Sequence, residues 1–256
     1  MPKLELFDKQ FIHYKRVNEE KKSETVIVFL HEALGSIGQW KNFPQQLCDA
    51  LQLPGIIYER IGHGLSSPLQ SNRNEDYLER YALDELPLVL ENTLEKNQKA
   101  ILIGHSDGGS IALLYAQIGS SKIKSIVTMA AHVINEKETL QGIAPAIKAY
   151  KKGKLDGLKK FHGDKTDTLF YAWADTWSAE FYKDWDICNK IDKVEVDALI
   201  IQGNQDQYGT EQQVDLILES IKSKRKHKLM LDACGHHPQL DKPDEVIGSI
   251  KQFLKA

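Results

Sequence analysis

The chain has 256 residues, of which 41% are hydrophobic, and its 33 basic and 36 acidic residues give a formal net charge of −3. This length and composition are typical of a globular protein with one large α/β domain that carries an insertion, or with two small domains. Because charges of both signs are mixed along the chain, no region predicts binding to nucleic acid or to a membrane surface.

The three cysteines, Cys48, Cys188 and Cys234, are odd in number and no pair has metal-ligand spacing. This pattern argues against a disulfide framework and a structural metal site, and it favours a reducing compartment. The first residues lack a basic start followed by an apolar stretch, and no window approaches a membrane span. We therefore expect a cytoplasmic protein.

The N-terminal half of the chain predicts strands and helices in alternation. Residues 4–17 alternate between apolar and polar side chains, which predicts two short antiparallel strands with Asp8 and Lys9 near their turn. Residues 25–30 form an unbroken apolar run, typical of a strand buried on both faces of a parallel sheet. The next predicted elements are a helix containing Trp40, Phe43, Leu47 and Leu51, a strand over 55–58, a loop over 59–68, and a helix over 75–96 that Pro87 bends or restarts.

The same alternation continues to the C-terminus, with one interruption. The predicted elements are strands over 100–104, 123–130, 198–203 and 227–232, and helices over 107–118, 210–221 and 243–255. Strands that alternate with helices predict an α/β fold with a doubly wound, mainly parallel sheet. Such a sheet binds its ligands at the carboxyl ends of its strands.

The interruption covers residues 134–193, where no clear strand pattern is present. We interpret this segment as an inserted helical cap on a core formed by residues 1–133 and 194–256. The segment is rich in large aromatic side chains, which must bury against another surface, and the open edge of the sheet is available for this. These aromatic residues are Phe161, Phe170, Tyr171, Trp173, Trp177, Phe181, Tyr182 and Trp185.

One serine lies where the 100–104 strand meets the next helix. Gly104, Ser106 and Gly108 have the G-x-S-x-G spacing of a sharp strand-to-helix turn that presents a nucleophile. The glycines are required there because strand and helix crowd around the serine, and a side chain at either position would obstruct them. The helix that follows directs its backbone N–H groups and the positive end of its dipole at the same place.

A serine hydroxyl becomes a nucleophile when a base removes its proton and a third group orients that base. Asp206 follows the 198–203 strand, and His236 follows the 227–232 strand. The chain order Ser106, Asp206, His236 is the nucleophile–acid–base order expected with this turn. We therefore predict these three as the catalytic residues.

An acyl-transfer site also needs donors for the oxyanion. We predict the backbone N–H groups of Asp107, directly after the serine, and of Ala33, in the loop after the first buried strand. Gly35 lets this loop turn tightly over the site. Because the donors are backbone groups, we do not expect the Asp107 carboxylate to act in the chemistry.

Other residues near these positions receive supporting roles. His237 competes with His236 for the role of base, and the position directly after Gly235 favours His236. Asp232 is interpreted as a structural carboxylate, and Cys234 as a small buried hydrophobic residue. Three further histidines are expected to support loops through hydrogen bonds. These are His31, His63 and His105.

Taken together, the sequence resembles the α/β-hydrolase fold family, in its small bacterial carboxylesterase-like branch with a cap. The resemblance rests on FLHEALGS, YERIGHGLSS, IGHSDGGS, IQGNQDQYGT and ACGHHP, and it covers nearly the whole chain. The chain departs from the usual sequence of this family at two places. His31–Glu32 replaces the usual His–Gly pair, which puts a carboxylate near the site, and the loop over 59–66 differs from the usual loop sequence. The serine excludes relatives that use an aspartate nucleophile.

The resemblance implies a Ser–His–Asp enzyme without cofactor that cleaves an ester, a thioester or a C–C bond. Our leading hypothesis is a serine hydrolase of carboxylic esters or thioesters, acting on a small molecule with an apolar acyl part. The alternatives are a C–C bond hydrolase of meta-cleavage products, a cofactor-free perhydrolase, and a ligand-binding protein with little turnover. The oligomeric state and the leaving group stay open.

Overall fold

The computed structural model describes residues 2–6 and 9–255. Eight strands form one sheet in the order β1-β2-β4-β3-β5-β6-β7-β8, in which the β1–β2 and β2–β4 pairs are antiparallel and all the other pairs are parallel. The strands are β1 (Lys3–Glu5), β2 (Phe11–Val17), β3 (Thr25–Leu30), β4 (Gly55–Glu59), β5 (Lys99–His105), β6 (Ile123–Met129), β7 (Asp197–Gly203) and β8 (Lys226–Leu231). The predicted doubly wound, mainly parallel sheet is thereby confirmed, although Asp8 of the predicted first turn lies outside the described residues.

Helices cover both faces of the sheet. They are α1 (Phe43–Leu51), α2 (Tyr77–Arg80), α3 (Leu86–Thr93), α4 (Asp107–Ala116), α5 (Lys137–Lys151), α6 (Lys159–His162), α7 (Thr166–Ser178), α8 (Glu211–Ser220), α9 (Pro238–Asp241) and α10 (Pro243–Lys255). A π-helical turn over Tyr81–Glu85 separates α2 from α3. Pro87 lies in the first turn of α3, directly after this π-helical turn, so the helical segment changes its form at the place where a bend or restart was predicted.

The two faces of the sheet have separate hydrophobic cores, and β3 shows why. Successive side chains of a strand point to opposite faces. Val26, Val28 and Leu30 therefore belong to the core under α2, α3, α4 and α8, whereas Ile27 and Phe29 belong to the core under α1 and α10. Each fully buried aliphatic or aromatic side chain stabilises the fold by roughly 1.5–3 kcal/mol, so a strand that is apolar at every position belongs inside the sheet.

The chain between β6 and β7 contains α5, α6 and α7 with short 3-10 turns between them. Its aromatic side chains pack together; the ring centroids of Trp177 and Tyr182 are 5.1 Å apart, and those of Trp177 and Trp185 are 5.3 Å apart. Tyr171 and Phe181 are exceptions and remain 37% and 52% exposed. The division of the chain into a core and a cap over 134–193 remains our proposal. Within residues 2–6 and 9–255, no helix combines the length and apolar character needed to cross a membrane.

Candidate active site

Ser106 occupies a strained turn between β5 and α4. Its backbone has φ 52° and ψ −120°, a conformation that costs a residue with a side chain roughly 1–3 kcal/mol. The two glycines of the turn are required by close packing: a Cβ on Gly104 would lie 2.3 Å from the carbonyl oxygen of Gly108, and a Cβ on Gly108 would lie 2.0 Å from that of Leu30. The turn therefore requires glycine at both positions, because each of them packs directly against backbone atoms.

The structure brings Ser106, His236 and Asp206 into one hydrogen-bonded chain. Nε2 of His236 lies 3.0 Å from Oγ of Ser106, and Nδ1 of the same ring lies 2.8 and 2.9 Å from the two carboxylate oxygens of Asp206. Because an ionised carboxylate only accepts, Nδ1 carries the proton and Nε2 is left to accept the serine hydroxyl proton. The three residues come from the turns after β5, β7 and β8, at the carboxyl edge of the sheet.

Two further donors hold the Asp206 carboxylate. Gln202 donates its amide N–H at 2.8 Å, and the backbone N–H of Tyr208 donates at 2.8 Å. Burial raises the pKa of Asp206, but the nearby His236 charge and the hydrogen bonds of His236 and Tyr208 outweigh it, so the pKa lies below its ordinary value. The carboxylate is therefore ionised at neutral pH, as needed to orient the imidazole.

Ala33, in the loop after β3, lines the same pocket as Ser106 and Asp107, and Arg60 holds that loop. The buried guanidinium donates to the carbonyl oxygens of His31 at 2.5 Å and of Glu32 at 3.0 Å. Among the described residues, the N–H groups of Ala33 and Asp107 donate no hydrogen bond. Both are thus free to donate to an oxygen that develops negative charge.

The three histidines expected to support loops do form such hydrogen bonds. His31 accepts the backbone N–H of Arg60 at 3.1 Å through Nε2, and His63 donates to the carbonyl oxygen of Ala33 at 3.0 Å. His105 donates to the carbonyl oxygen of His236 at 2.6 Å. Burial lowers the pKa of each of these imidazoles, so they hold the loops as neutral groups.

A fourth supporting histidine, His162, was not predicted from the sequence. It lies in α6, where Nε2 donates to the carbonyl oxygen of Leu34 at 2.9 Å and Nδ1 accepts the backbone N–H of Gly64 at 2.9 Å. The ring thus connects the segment between β6 and β7 with the loop of Ala33. Nothing in the lysine-rich sequence around it distinguishes this histidine from an exposed one.

The Asp107 side chain is also held by hydrogen bonds, and nothing in the sequence connects its partners with it. Its carboxylate accepts the Tyr77 hydroxyl at 3.1 Å and lies 4.0 Å from the Arg60 guanidinium. Tyr77 in turn accepts the indole N–H of Trp177 at 2.9 Å. The carboxylate therefore anchors the start of α4, in line with the expectation that it takes no part in the chemistry.

A pocket of about 230 Å³ opens over Ser106 and His236. The segment between β6 and β7 contributes apolar walls, including Leu155, Leu158, Trp173 and Trp177. Glu32 lies at this pocket too: it accepts the Leu34 N–H at 2.6 Å, and burial raises the pKa of its carboxyl.

The remaining sequence candidates lie away from the hydrogen-bonded chain. Asp232 is exposed and accepts the Asn204 side-chain amide at 2.8 Å, which agrees with a structural role. Cys234 is buried. His237 lines the pocket but makes no contact with Asp206 among the described residues, so the structure distinguishes it from His236.

A model of the α/β-hydrolase family matches residues 27–248 of the chain. The chain belongs to the α/β-hydrolase family. It is 28% identical over 251 residues to the mouse protein named serine hydrolase BPHL, which covers 95% of this chain and 83% of the mouse protein. The human protein of the same name is 26% identical over 255 residues, with the same coverage of 95% and 83%.

Solved structures agree on the fold of this α/β-hydrolase. The enol-lactonase from Burkholderia xenovorans superimposes with a TM-score of 0.75 and 16% identity, over 100% of both chains. At this level of identity the likeness shows the fold alone. In the described part of the chain, no group of three or more histidine, cysteine, aspartate or glutamate side chains is arranged to hold a metal ion.

Proposed function

We propose that this α/β-hydrolase is a serine hydrolase that cleaves a carboxylic ester or thioester through an acyl-enzyme on Ser106. The observation that carries the proposal is the chain of hydrogen bonds from Ser106 Oγ through the His236 ring to Asp206. This arrangement supplies a nucleophile, a base within reach of its proton, and an orienting carboxylate.

The mechanism follows from these atoms. Ser106 Oγ attacks the acyl carbonyl carbon while His236 Nε2 takes the hydroxyl proton, and Asp206 holds the imidazolium in place. The C–O or C–S bond then breaks, and His236 gives its proton to the leaving alcohol or thiol. A water molecule attacks the acyl-enzyme by the same route, with His236 again as base, and releases the carboxylic acid and the free serine.

The oxyanion of each tetrahedral intermediate would accept hydrogen bonds from the backbone N–H groups of Ala33 and Asp107. Loss of one such donor typically raises the barrier by roughly 3–4 kcal/mol, so catalysis depends on the position of the Ala33 loop. The loop is held by Arg60 and His63, both within 3.0 Å of its carbonyl oxygens.

The pocket limits the acyl group. Its volume of about 230 Å³ is below the roughly 300–1,000 Å³ of pockets for drug-sized ligands, and its walls include Trp173, Trp177 and two leucines. A short apolar acyl group fits this space. We therefore propose a small-molecule substrate with a short acyl part.

Labelling with a fluorophosphonate probe tests the proposal directly. We expect the probe to modify Ser106 in the wild type and to leave Ser106→Ala unmodified, and the wild type to hydrolyse 4-nitrophenyl butanoate faster than the dodecanoate. Asp206→Asn should lower kcat by about 10,000-fold, as loss of the orienting carboxylate does in serine proteases. A protein that resists the probe and leaves short esters intact, but cleaves a dienone acid, would be a C–C bond hydrolase instead.

A further inference from the structure

A second cavity of about 400 Å³ adjoins the pocket over Ser106 and His236, which we call the acyl pocket, and the proposed mechanism does not use this second cavity. The two cavities share Glu32, Gln39 and His237 as lining residues. The second one extends along the 3-10 turn Ile37–Trp40 to α6 and α9. A molecule bound at Ser106 could therefore extend from one cavity into the other past these shared residues.

Four buried polar atoms among the residues that line this second cavity have no hydrogen-bond partner in the described chain. They are Ser36 Oγ, Gln39 Oε1, Trp40 Nε1 and Gln239 Oε1. Ser36 is 1% exposed, and Trp40 and Gln239 are each 3% exposed. Buried polar groups in folded proteins almost always have partners. These four atoms along one cavity beside the serine are therefore left for a bound ligand or an ordered water molecule to satisfy.

The charges of the two cavities differ in sign. Exposed Lys41 and Lys160 line the second cavity, where Glu32 is the opposing carboxylate. Burial lowers the pKa of its histidines, that of His237 to about 4, so these rings are neutral at pH 7. The acyl pocket is lined by Glu32 and, among the described residues, by no lysine or arginine; Asp107 also lines it, but its buried carboxylate is held by Tyr77 and Arg60. An anionic group is therefore favoured in the second cavity and disfavoured in the first.

We propose that the second cavity is a leaving-group subsite, and that the alcohol or thiol part of the substrate carries an anionic oxygen group, a carboxylate or a phosphate. This deepens the proposed function, on which it rests, by naming the substrate class. The Ser36 hydroxyl, the Trp40 indole N–H and the ammonium groups of Lys41 and Lys160 are the donors for the anion. The amide oxygens of Gln39 and Gln239 accept from hydroxyl or N–H groups of the same part.

A matched pair of esters tests the subsite. Both carry the same butanoyl group; one is the ester of 4-nitrophenol and the other the ester of 5-hydroxy-2-nitrobenzoate, which adds one carboxylate to the leaving group. The quantity measured is the ratio of kcat/KM for the anionic ester to kcat/KM for the neutral ester. We expect this ratio to exceed one in the wild type and to fall in 0.5 M NaCl, because salt screens exposed charges.

Two double variants separate a local effect from a general effect of charge. Lys41→Gln/Lys160→Gln should lower the ratio by about fivefold, which is the size expected for two exposed ion pairs. The control Lys99→Gln/Lys224→Gln removes two exposed lysines near the starts of β5 and β8, at the opposite edge of the sheet. It should leave the ratio unchanged, and an equal fall in both double variants would overturn the subsite.

Ser36→Ala adds a test at a buried donor. It deletes a hydroxyl without a partner, so the Tm should stay the same or rise while the ratio falls. A variant that merely damaged the fold would lose Tm as well. A Ser36→Ala protein with an unchanged ratio would remove Ser36 from the subsite.

Binding to the Ser106→Ala protein makes the subsite testable without turnover. By titration calorimetry, 5-hydroxy-2-nitrobenzoate should bind more tightly than 4-nitrophenol, and Lys41→Gln/Lys160→Gln should remove the difference. If both esters are cleaved through Ser106 with equal kcat/KM, the subsite is wrong and the serine chemistry stands. If neither ester is cleaved but the lysine-dependent binding is found, the subsite stands and the proposed hydrolysis fails.

Discussion

Replacing Gly108 by alanine tests how the serine turn and the oxyanion loop depend on each other. The added methyl would lie 2.0 Å from the carbonyl oxygen of Leu30, 2.5 Å from its carbon and 2.8 Å from the carbonyl oxygen of His31. All three are backbone atoms, so no side chain can rotate away. Either α4 must move from the sheet, or the end of β3 must move from α4.

The expected magnitudes follow from these contacts. In an unhindered helix, glycine to alanine stabilises by roughly 0.5–1 kcal/mol, whereas forcing a methyl into a filled space costs roughly 1–3 kcal/mol. We expect Gly108→Ala to lower the free energy of unfolding by about 1–2 kcal/mol. Movement of Leu30 and His31 also displaces Ala33, and a lost oxyanion donor lowers kcat by about 100-fold to 1,000-fold.

The control is Gly248→Ala in α10, where an added Cβ has no atom within 4 Å. This variant should be more stable than the wild type by roughly 0.5–1 kcal/mol and should keep its kcat. Urea denaturation gives the two stabilities, and hydrolysis of 4-nitrophenyl butanoate gives the two kcat values. A Gly108→Ala protein with the stability and kcat of the Gly248→Ala protein would refute the reasoning from backbone contact.

Two further predictions concern buried groups behind the site. Burial raises the pKa of Glu85 to about 7 from an ordinary 4.5. Between these pH values the folded protein keeps a proton that the unfolded chain releases. The free energy of unfolding therefore falls by about 3 kcal/mol as the pH rises from 4.5 to 7. Glu85→Gln should remove this part of the pH dependence. Urea denaturation at pH 4.5 and 7.5 measures it, and an equal change in the free energy of unfolding in both proteins would contradict the prediction. His162→Phe keeps a ring but loses the hydrogen bonds to Leu34 and Gly64. The kcat for ester hydrolysis should therefore fall about tenfold, with a smaller change in KM. An unchanged kcat would count against a positioning role for His162.

The fold was predictable because the central strands of the parallel sheet are apolar runs buried on both faces. The run over 25–30 has this pattern, and it coincides with β3 in the structure. The positions of Ser106, Asp206 and His236 follow from the strand order, since each residue lies in the turn after a strand of the parallel sheet and these strand ends share one edge. Local sequence patterns therefore predict the functional residues that lie at the ends of strands.

The supporting hydrogen bonds were not predictable from the sequence. His162 and Leu34 are 128 positions apart, and Trp177 and Tyr77 are 100 apart. These contacts join a side chain to a backbone carbonyl or to another side chain across separate segments, so they produce no periodic pattern. The second cavity was hidden for the same reason, because Ser36 and Gln239, which both line it, lie in a loop and in α9 at distant places in the sequence.

The buried histidines around the site explain how its loops are fixed without disturbing the charge at Ser106. His31, His63, His105 and His132 each bond to backbone through a ring nitrogen, and burial lowers the pKa of each. A lysine in these places would add a fixed charge in a region of weak screening, whereas a neutral imidazole donates one hydrogen bond and accepts another. The backbone N–H groups and the Asp206–His236 pair therefore act on a developing oxyanion together with three other charged groups, the Glu32 carboxylate and the buried Arg60–Asp107 pair.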